Sequence, residues 1–212
     1  MEKNTRYLRN FIIAVILGTI IFIGIFFLGY ILSYYNSQKL IQSQEDLRYE
    51  LLSFEIQKNL LGDDCENFNP YLFSEKMDNL GRIIGILEQR LGENNPDILQ
   101  QKKIYSLLET RHFLYIKENN ENCPNEIPTI LFFYSNEKNL KERAEEIGIM
   151  LSSLKNQEEV MVYSFDYNLD SNVIDILKQK YNINQPNMLV INEKAIINKF
   201  KNVNDIKEHI KN

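Results

Sequence analysis

FIIAVILGTIIFIGIFFLGYIL, from Phe11 to Leu32, carries no charged side chain. At 1.5 Å per residue such a helix covers about 33 Å, enough for a hydrocarbon core of roughly 30 Å. Inside lipid the backbone must satisfy its own hydrogen bonds, which forces a helix. Tyr30, Tyr34 and Tyr35 collect at one end, where amphipathic rings favour the headgroup region. A cleaved signal peptide has a shorter apolar core and a small-x-small cleavage site. Here the run closes on Tyr30-Ile-Leu-Ser-Tyr-Tyr35, which lacks that pattern. The sequence therefore predicts a cytoplasmic flank over 1–10 and a transmembrane helix over 11–35, with the lipid bilayer as the first partner.

The flanks set the direction. Lys3, Arg6 and Arg9 precede the span, while the first cation beyond it is Lys39, followed by Glu45 and Asp46. The positive-inside bias places the N-terminus in the cytoplasm and the chain from about residue 36 outside it. The expected location is thus the cell membrane, single-pass, with an extracytoplasmic C-terminal part. Gly18, Gly24 and Gly29 are not four apart, so the span has no GxxxG dimer motif.

Composition narrows the function. The net charge is −5 with acids and bases interleaved, and no basic patch carries interleaved aromatics, so nucleic-acid binding has no basis. His112 and His209 lie far apart without neighbouring ligands at metal spacing. No metal and no cofactor is expected.

Residues 36–122 read as a helical stalk followed by an antiparallel hairpin. Leu40, Leu47, Phe54 and Leu61 recur every seven residues, with Leu51 between them and Gln44 and Lys58 interrupting the seam. This fits a core-facing amphipathic helix, or a parallel coiled coil in a homo-oligomer. Gly62-Asp63-Asp64 closes that helix, and Asn69-Pro70 opens another over 71–91, with Leu72, Met77, Leu80, Ile84 and Leu87 at helical spacing. Gly81 and Gly85 on it would allow close approach of a neighbouring helix. A turn at Gly92–Asn95 leads to Pro96-Asp97 and a third helix to about Glu118. So short a link makes the two helices antiparallel.

The hairpin brings its two ends together, and Cys65 lies before one and Cys123 after the other. Three readings stand: a structural disulfide in an oxidising compartment, two free thiols, or a redox-active pair. Asp63, Asp64 and Glu66 beside Cys65 would raise a thiol pKa and weigh against the last.

Residues 125–212 alternate between strand and helix periods. Thr129–Tyr134 is a buried strand, 138–154 a helix, and Val160–Phe165 a second strand. A helix from Asp170 or Ser171 to Tyr181 follows. Asn187–Ile191 and Ala195–Phe200 form a hairpin, and Asn204-Asp205 opens a last helix. The first two strands should run parallel through a right-handed crossover.

From Ile127 to Ile210 the chain resembles the thioredoxin-like family. The most specific stretches are Val162-Tyr-Ser-Phe-Asp166 and Tyr181-Asn-Ile-Asn-Gln-Pro186-Asn-Met-Leu-Val-Ile191. The resemblance implies an α/β thioredoxin-like C-terminal domain, preceded by the helical hairpin and the single transmembrane helix. It also implies a cis-proline at Pro186 and a groove for extended peptide lined by Tyr134, Ser135, Asn136, Gln185 and Pro186. The departure lies at the family's site of chemistry. Where Cys-x-x-Cys would open a helix, this chain reads Tyr134-Ser-Asn-Glu-Lys-Asn-Leu140 and has no cysteine. A serine hydroxyl cannot form a disulfide, so the domain is expected to be redox-inactive and not an enzyme. The expectation is a membrane-anchored binding or scaffolding module with a protein partner. The alternatives are an accessory thiol-disulfide oxidoreductase using Cys65 and Cys123, or a structural subunit of a membrane complex.

Overall fold

The computed structural model describes residues 2–61, 65, 68–71 and 73–210, with side chains for all of these except 2–6, 8 and 61. The expectations for Gly62, Asp63, Asp64, Glu66 and Leu72, and for the Leu61 side chain, lie outside the described residues. The chain divides into two compact units, Met1–Gln42 and Ser43–Asn212.

The first unit consists of the N-terminal part of helix α1 (Glu2–Leu61). Every residue from 9 to 35 is exposed, including Phe11, Ile16, Phe22, Phe26 and Leu32. The helix is long and apolar enough to cross a membrane, with a mean hydropathy of 3.0 over its most apolar stretch. A helix that is apolar on all sides and covered by nothing from its own chain is matched to lipid rather than water.

The second unit holds the rest of α1, then α2 (Ser74–Leu91), α3 (Pro96–Asn122), β1 (Thr129–Tyr134), α4 (Lys141–Lys155), β2 (Met161–Asp166), α5 (Asn172–Lys180), β3 (Met188–Ile191), β4 (Ala195–Ile197) and α6 (Val203–Ile210). The four strands form one sheet in the order β2-β1-β3-β4. β1 and β2 are parallel, with Thr129 opposite Met161, whereas β3 runs antiparallel to both β1 and β4. β1 is central because its side chains are apolar on both faces, and all but Tyr134 are buried.

The period of two sorts those side chains into two layers. Leu131 and Phe133 of β1 join Tyr163, Phe165 and Val190 in a core with Leu47 of α1, Leu80 and Ile84 of α2, and Leu108, Phe113 and Ile116 of α3. Ile130 and Phe132 point the other way, to Ala144, Ile147, Leu151 and Leu154 of α4 and Ile206 of α6. The helices expected as a separate stalk and hairpin thus form one layer of the folded unit, and no packing boundary falls between 122 and 125. Leu47 and Phe54 of the heptad stripe are buried within this unit, as in the core-facing alternative. Lys58, an interruption of that stripe, pairs with Glu118 of α3.

The hairpin link is built from its own residues. Gly92 has φ 97, a region that favours glycine, and the Asn95 side chain accepts from the backbone N–H groups of Asp97 and Ile98 ahead of Pro96. At the other end Cys65 and Cys123 are joined in a disulfide, Cα atoms 5.7 Å apart. The bond closes a loop with a sequence separation of 58, worth about 4 kcal/mol in the chain-entropy model. It leaves neither thiol free. One helix starts later than expected: the Glu137 carbonyl accepts from the N–H groups of Leu140 and Lys141 in a turn, and α4 begins only at Lys141.

Candidate functional site

Because β2 is an edge strand, half of its backbone N–H groups face away from β1. Met161 N–H donates to Pro128 O and Tyr167 N–H to Tyr134 O, so the alternation turns Ser164 N–H outward. No strand meets it there. Instead Glu109 of α3 accepts that N–H through Oε1 at 2.9 Å. A carboxyl group thereby caps the open edge of the sheet.

A cavity of about 380 Å³ opens beside this contact, walled by α2, α3, α4 and the β2 edge, with Tyr134 of β1 at its end. Two of its walls are thin because they carry glycine. A Cβ at Gly85 or Gly148 would meet nothing within 4 Å. Gly81 has a different reason: the Tyr105 phenol lies against it, and a Cβ there would come 2.8 Å from the phenol oxygen. The close approach expected at Gly81 is therefore that of a side chain, which donates to Met77 O at 3.1 Å.

Ionisable groups dominate the lining. Lys102 is buried, with Nζ 2.6 Å from Glu88 Oε1 and 2.7 Å from Asp166 Oδ2. Its ammonium also lies 5.6 Å from the Tyr134 ring centroid. Burial alone would lower the Lys102 pKa, but Asp166 and then Glu88 outweigh it and leave the value raised. Lys102 is thus a stable cation. Glu88 Oε1 accepts a second bond from Asn136 Nδ2 at 3.0 Å, and Asp166 Oδ1 accepts from Asn168 N–H at 3.1 Å. Burial pushes the phenols of Tyr105 and Tyr134 well above the usual range, so both remain protonated donors. Across the mouth Lys155 of α4 meets both oxygens of Asp78 on α2, at 2.8 and 2.7 Å.

Glu109 differs from these groups. It is 4% exposed, and its Oε2 is buried without a partner. Burial raises its pKa to about 8, the Ser164 N–H opposes that shift, and Asp78 adds to it. At neutral pH the group is mainly the carboxylic acid. One turn along the same stripe of α3, His112 is fully buried between Tyr163 Oη at 2.7 Å and Pro70 O at 3.1 Å. A carbonyl can only accept, so Nε2 carries the proton and Nδ1 accepts from the tyrosine. Burial lowers the His112 pKa to about 4. The ring is a neutral fastener, not a base. Among the described residues no group of three His, Cys, Asp or Glu is placed to hold a metal ion.

The groove residues expected from sequence divide. Tyr134 lines the cavity. Ser135 is fully buried, donating to Asn168 Oδ1 at 2.7 Å and accepting from Glu137 N–H at 3.1 Å, so its hydroxyl belongs to the turn. Asn136 is held by Glu88. Gln185 is exposed and Pro186 half-buried, just ahead of β3. The expected cis bond at Pro186 is corrected: the described residues contain no cis peptide. The tight join comes instead from Asn187, in the left-handed region with φ 62. Its N–H donates to Phe133 O at 2.6 Å and its Nδ2 to Leu140 O at 3.1 Å. That stitching lays residues 185–187 alongside the segment after β1.

The residues sequence reasoning passed over are Glu88, Lys102, Glu109 and Asp166. One signal was present: Lys102, Glu109 and His112 fall on the same helical stripe as Ile98, Leu108 and Ile116, so ionisable groups interrupt a face that packs inward. Comparison of the chain with family models, with curated proteins and with solved structures finds no match.

Proposed function

We propose that the chain is a membrane-anchored binding or scaffolding protein, with its folded unit outside the cytoplasm and a redox-inactive thioredoxin-like domain that docks another protein. The observation that carries the reading is α1. Its exposed apolar part is matched to a bilayer, and Leu47 and Leu51 farther along the same helix pack in the core of the second unit. The cations at Lys3, Arg6 and Arg9 support the orientation. The Cys65–Cys123 disulfide fits an oxidising compartment. Strand order β2-β1-β3-β4, with β3 alone running against the others, supports the thioredoxin-like reading. The segment from Ser135 to Leu140 has no thiol, so docking without exchange is the chemistry left to it. Gln185 and Pro186 offer the accessible part of the expected groove, where an extended peptide can pair by its backbone.

A photo-crosslinking residue at Gln185 in the full chain tests this. A discrete adduct there, absent when the same group replaces the exposed Ile176 of α5, supports docking beside Pro186. Equal labelling at both positions refutes it. A second reading, a structural subunit of a membrane complex, is favoured by one feature: Tyr49, Leu52, Ile56 and Leu60 form an exposed stripe along α1, Leu60 at 80%. An adduct at Ile56 alone would select it.

A further inference from the structure

Glu109 Oε2 is a buried polar atom with no partner, and Glu109 is one of the residues that line a cavity large enough to hold a guest. We propose that this cavity binds a small molecule bearing a protonated amine, with the Glu109 carboxylate as its counter-ion. The proposal stands apart from the docking reading above, because neither Gln185 nor Pro186 lines the cavity.

Size, charge and hydrogen-bonding capacity support it separately. The volume of about 380 Å³ lies within the range of small-molecule sites, and the wall sets carbon surface from Ile84, Leu151 and Val162 among charged and hydroxyl groups. Charge then selects the guest. Each buried or bridging cation is already occupied, Lys102 by Glu88 and Asp166, and Lys155 by both oxygens of Asp78. Arg82 is exposed and donates to Asn79. An anion drawn to Lys102 or Lys155 would have to displace a carboxylate from it. A cation would not, because Glu109 has one oxygen unused. Buried polar groups are rarely left unpaired, and an ammonium donor supplies the missing bond with charge assistance.

Binding then moves a proton. Before the guest arrives Glu109 is held as the acid by burial, and the groups facing it divide: Asp78 on α2 favours the acid and Lys155 on α4 the carboxylate. Farther round the wall stand Glu88 of α2, Lys102 and Tyr105 of α3, Tyr134 of β1 and Asp166 of β2. When R–NH₃⁺ docks, the Glu109 proton leaves to solvent and the carboxylate pairs with the ammonium. The amine keeps its own proton. No bond other than that O–H is broken, and one proton is released per guest bound below the Glu109 pKa.

Isothermal titration of the full chain in detergent micelles tests this with three probes of equal length, n-butylamine, n-butyrate and n-butanol, in two buffers of different ionisation heat. Butylamine should bind about tenfold tighter than either other probe and release close to one proton near neutral pH. Glu109→Gln keeps the shape and an acceptor for Ser164 N–H. It should weaken butylamine by about tenfold and abolish the proton release. Gly148→Leu adds a side chain where a Cβ meets open space and leaves every ion pair intact, and should exclude the guest by filling the cavity. Absence of butylamine binding, equal affinity for the three probes, or undiminished binding in either variant overturns the proposal.

Discussion

Replacing Glu109 by Gln isolates the group on which the site turns. In the folded chain the carboxyl pKa is about 8 against an ordinary 4.5. A folded value above the unfolded one means that the native state holds the extra proton. Its contribution to stability is therefore complete below pH 4.5 and is lost as pH rises to 8. His112 has the opposite sign. Its folded value of about 4 lies below the ordinary 6.5, so its contribution is complete above pH 6.5 and is lost as pH falls to 4. Between 4.5 and 6.5 the two slopes oppose and nearly cancel. From 6.5 to 8 Glu109 acts without that opposition, and at 1.36 kcal/mol per unit the wild-type chain should lose about 2 kcal/mol. The Gln side chain keeps an oxygen for Ser164 N–H but cannot ionise, so its profile should be flat over that interval. Denaturant unfolding of the full chain in detergent, followed by tyrosine fluorescence at several pH values, measures both curves. Parallel loss of stability in wild type and Glu109→Gln would refute the assignment of the buried acid.

The remaining predictions use other parts of the same unit. Lys102→Met leaves the buried Asp166 and the half-buried Glu88 without their cation and should cost about 3 kcal/mol, read from the same unfolding curves. Cys65→Ser opens the loop closed at Cys123 and should lower stability by about 4 kcal/mol without creating or removing a disulfide reductase activity. Gly81→Ala drives a methyl to 2.8 Å from the Tyr105 oxygen and should cost about 1–3 kcal/mol. Gly85→Ala, facing open space on the same helix, should stabilise by up to about 1 kcal/mol.

Much of the architecture was legible in the chain because it rests on short-range pattern. An uninterrupted apolar run announces α1, and switches between the periods of two and 3.6 give the order of strands and helices from Thr129 onward. A four-residue link between helices is enough to bring the flanks of Cys65 and Cys123 together. What stayed hidden is non-local. The packing of α2 and α3 on the sheet depends on Leu80, Ile84, Leu108 and Phe113 meeting Leu131, Phe133 and Tyr163, and no periodicity specifies that meeting. The Glu88–Lys102–Asp166 cluster spans separations of 14 and 64 residues. At Pro186 the resemblance pointed to the proline, whereas Asn187 makes the turn, since asparagine tolerates a left-handed backbone at little cost. Ser135 could be placed in an open groove only while its partner Asn168 was unknown.

The central claim, a folded unit held outside the cytoplasm by α1, is tested most directly by an impermeant protease added to intact cells that express the full chain with an N-terminal tag. The account predicts loss of the folded unit, while a membrane-embedded fragment keeps its tag and the first residues up to about 35. A C-terminal unit that stays whole until the membrane is permeabilised, with the tag removed from outside, would contradict it.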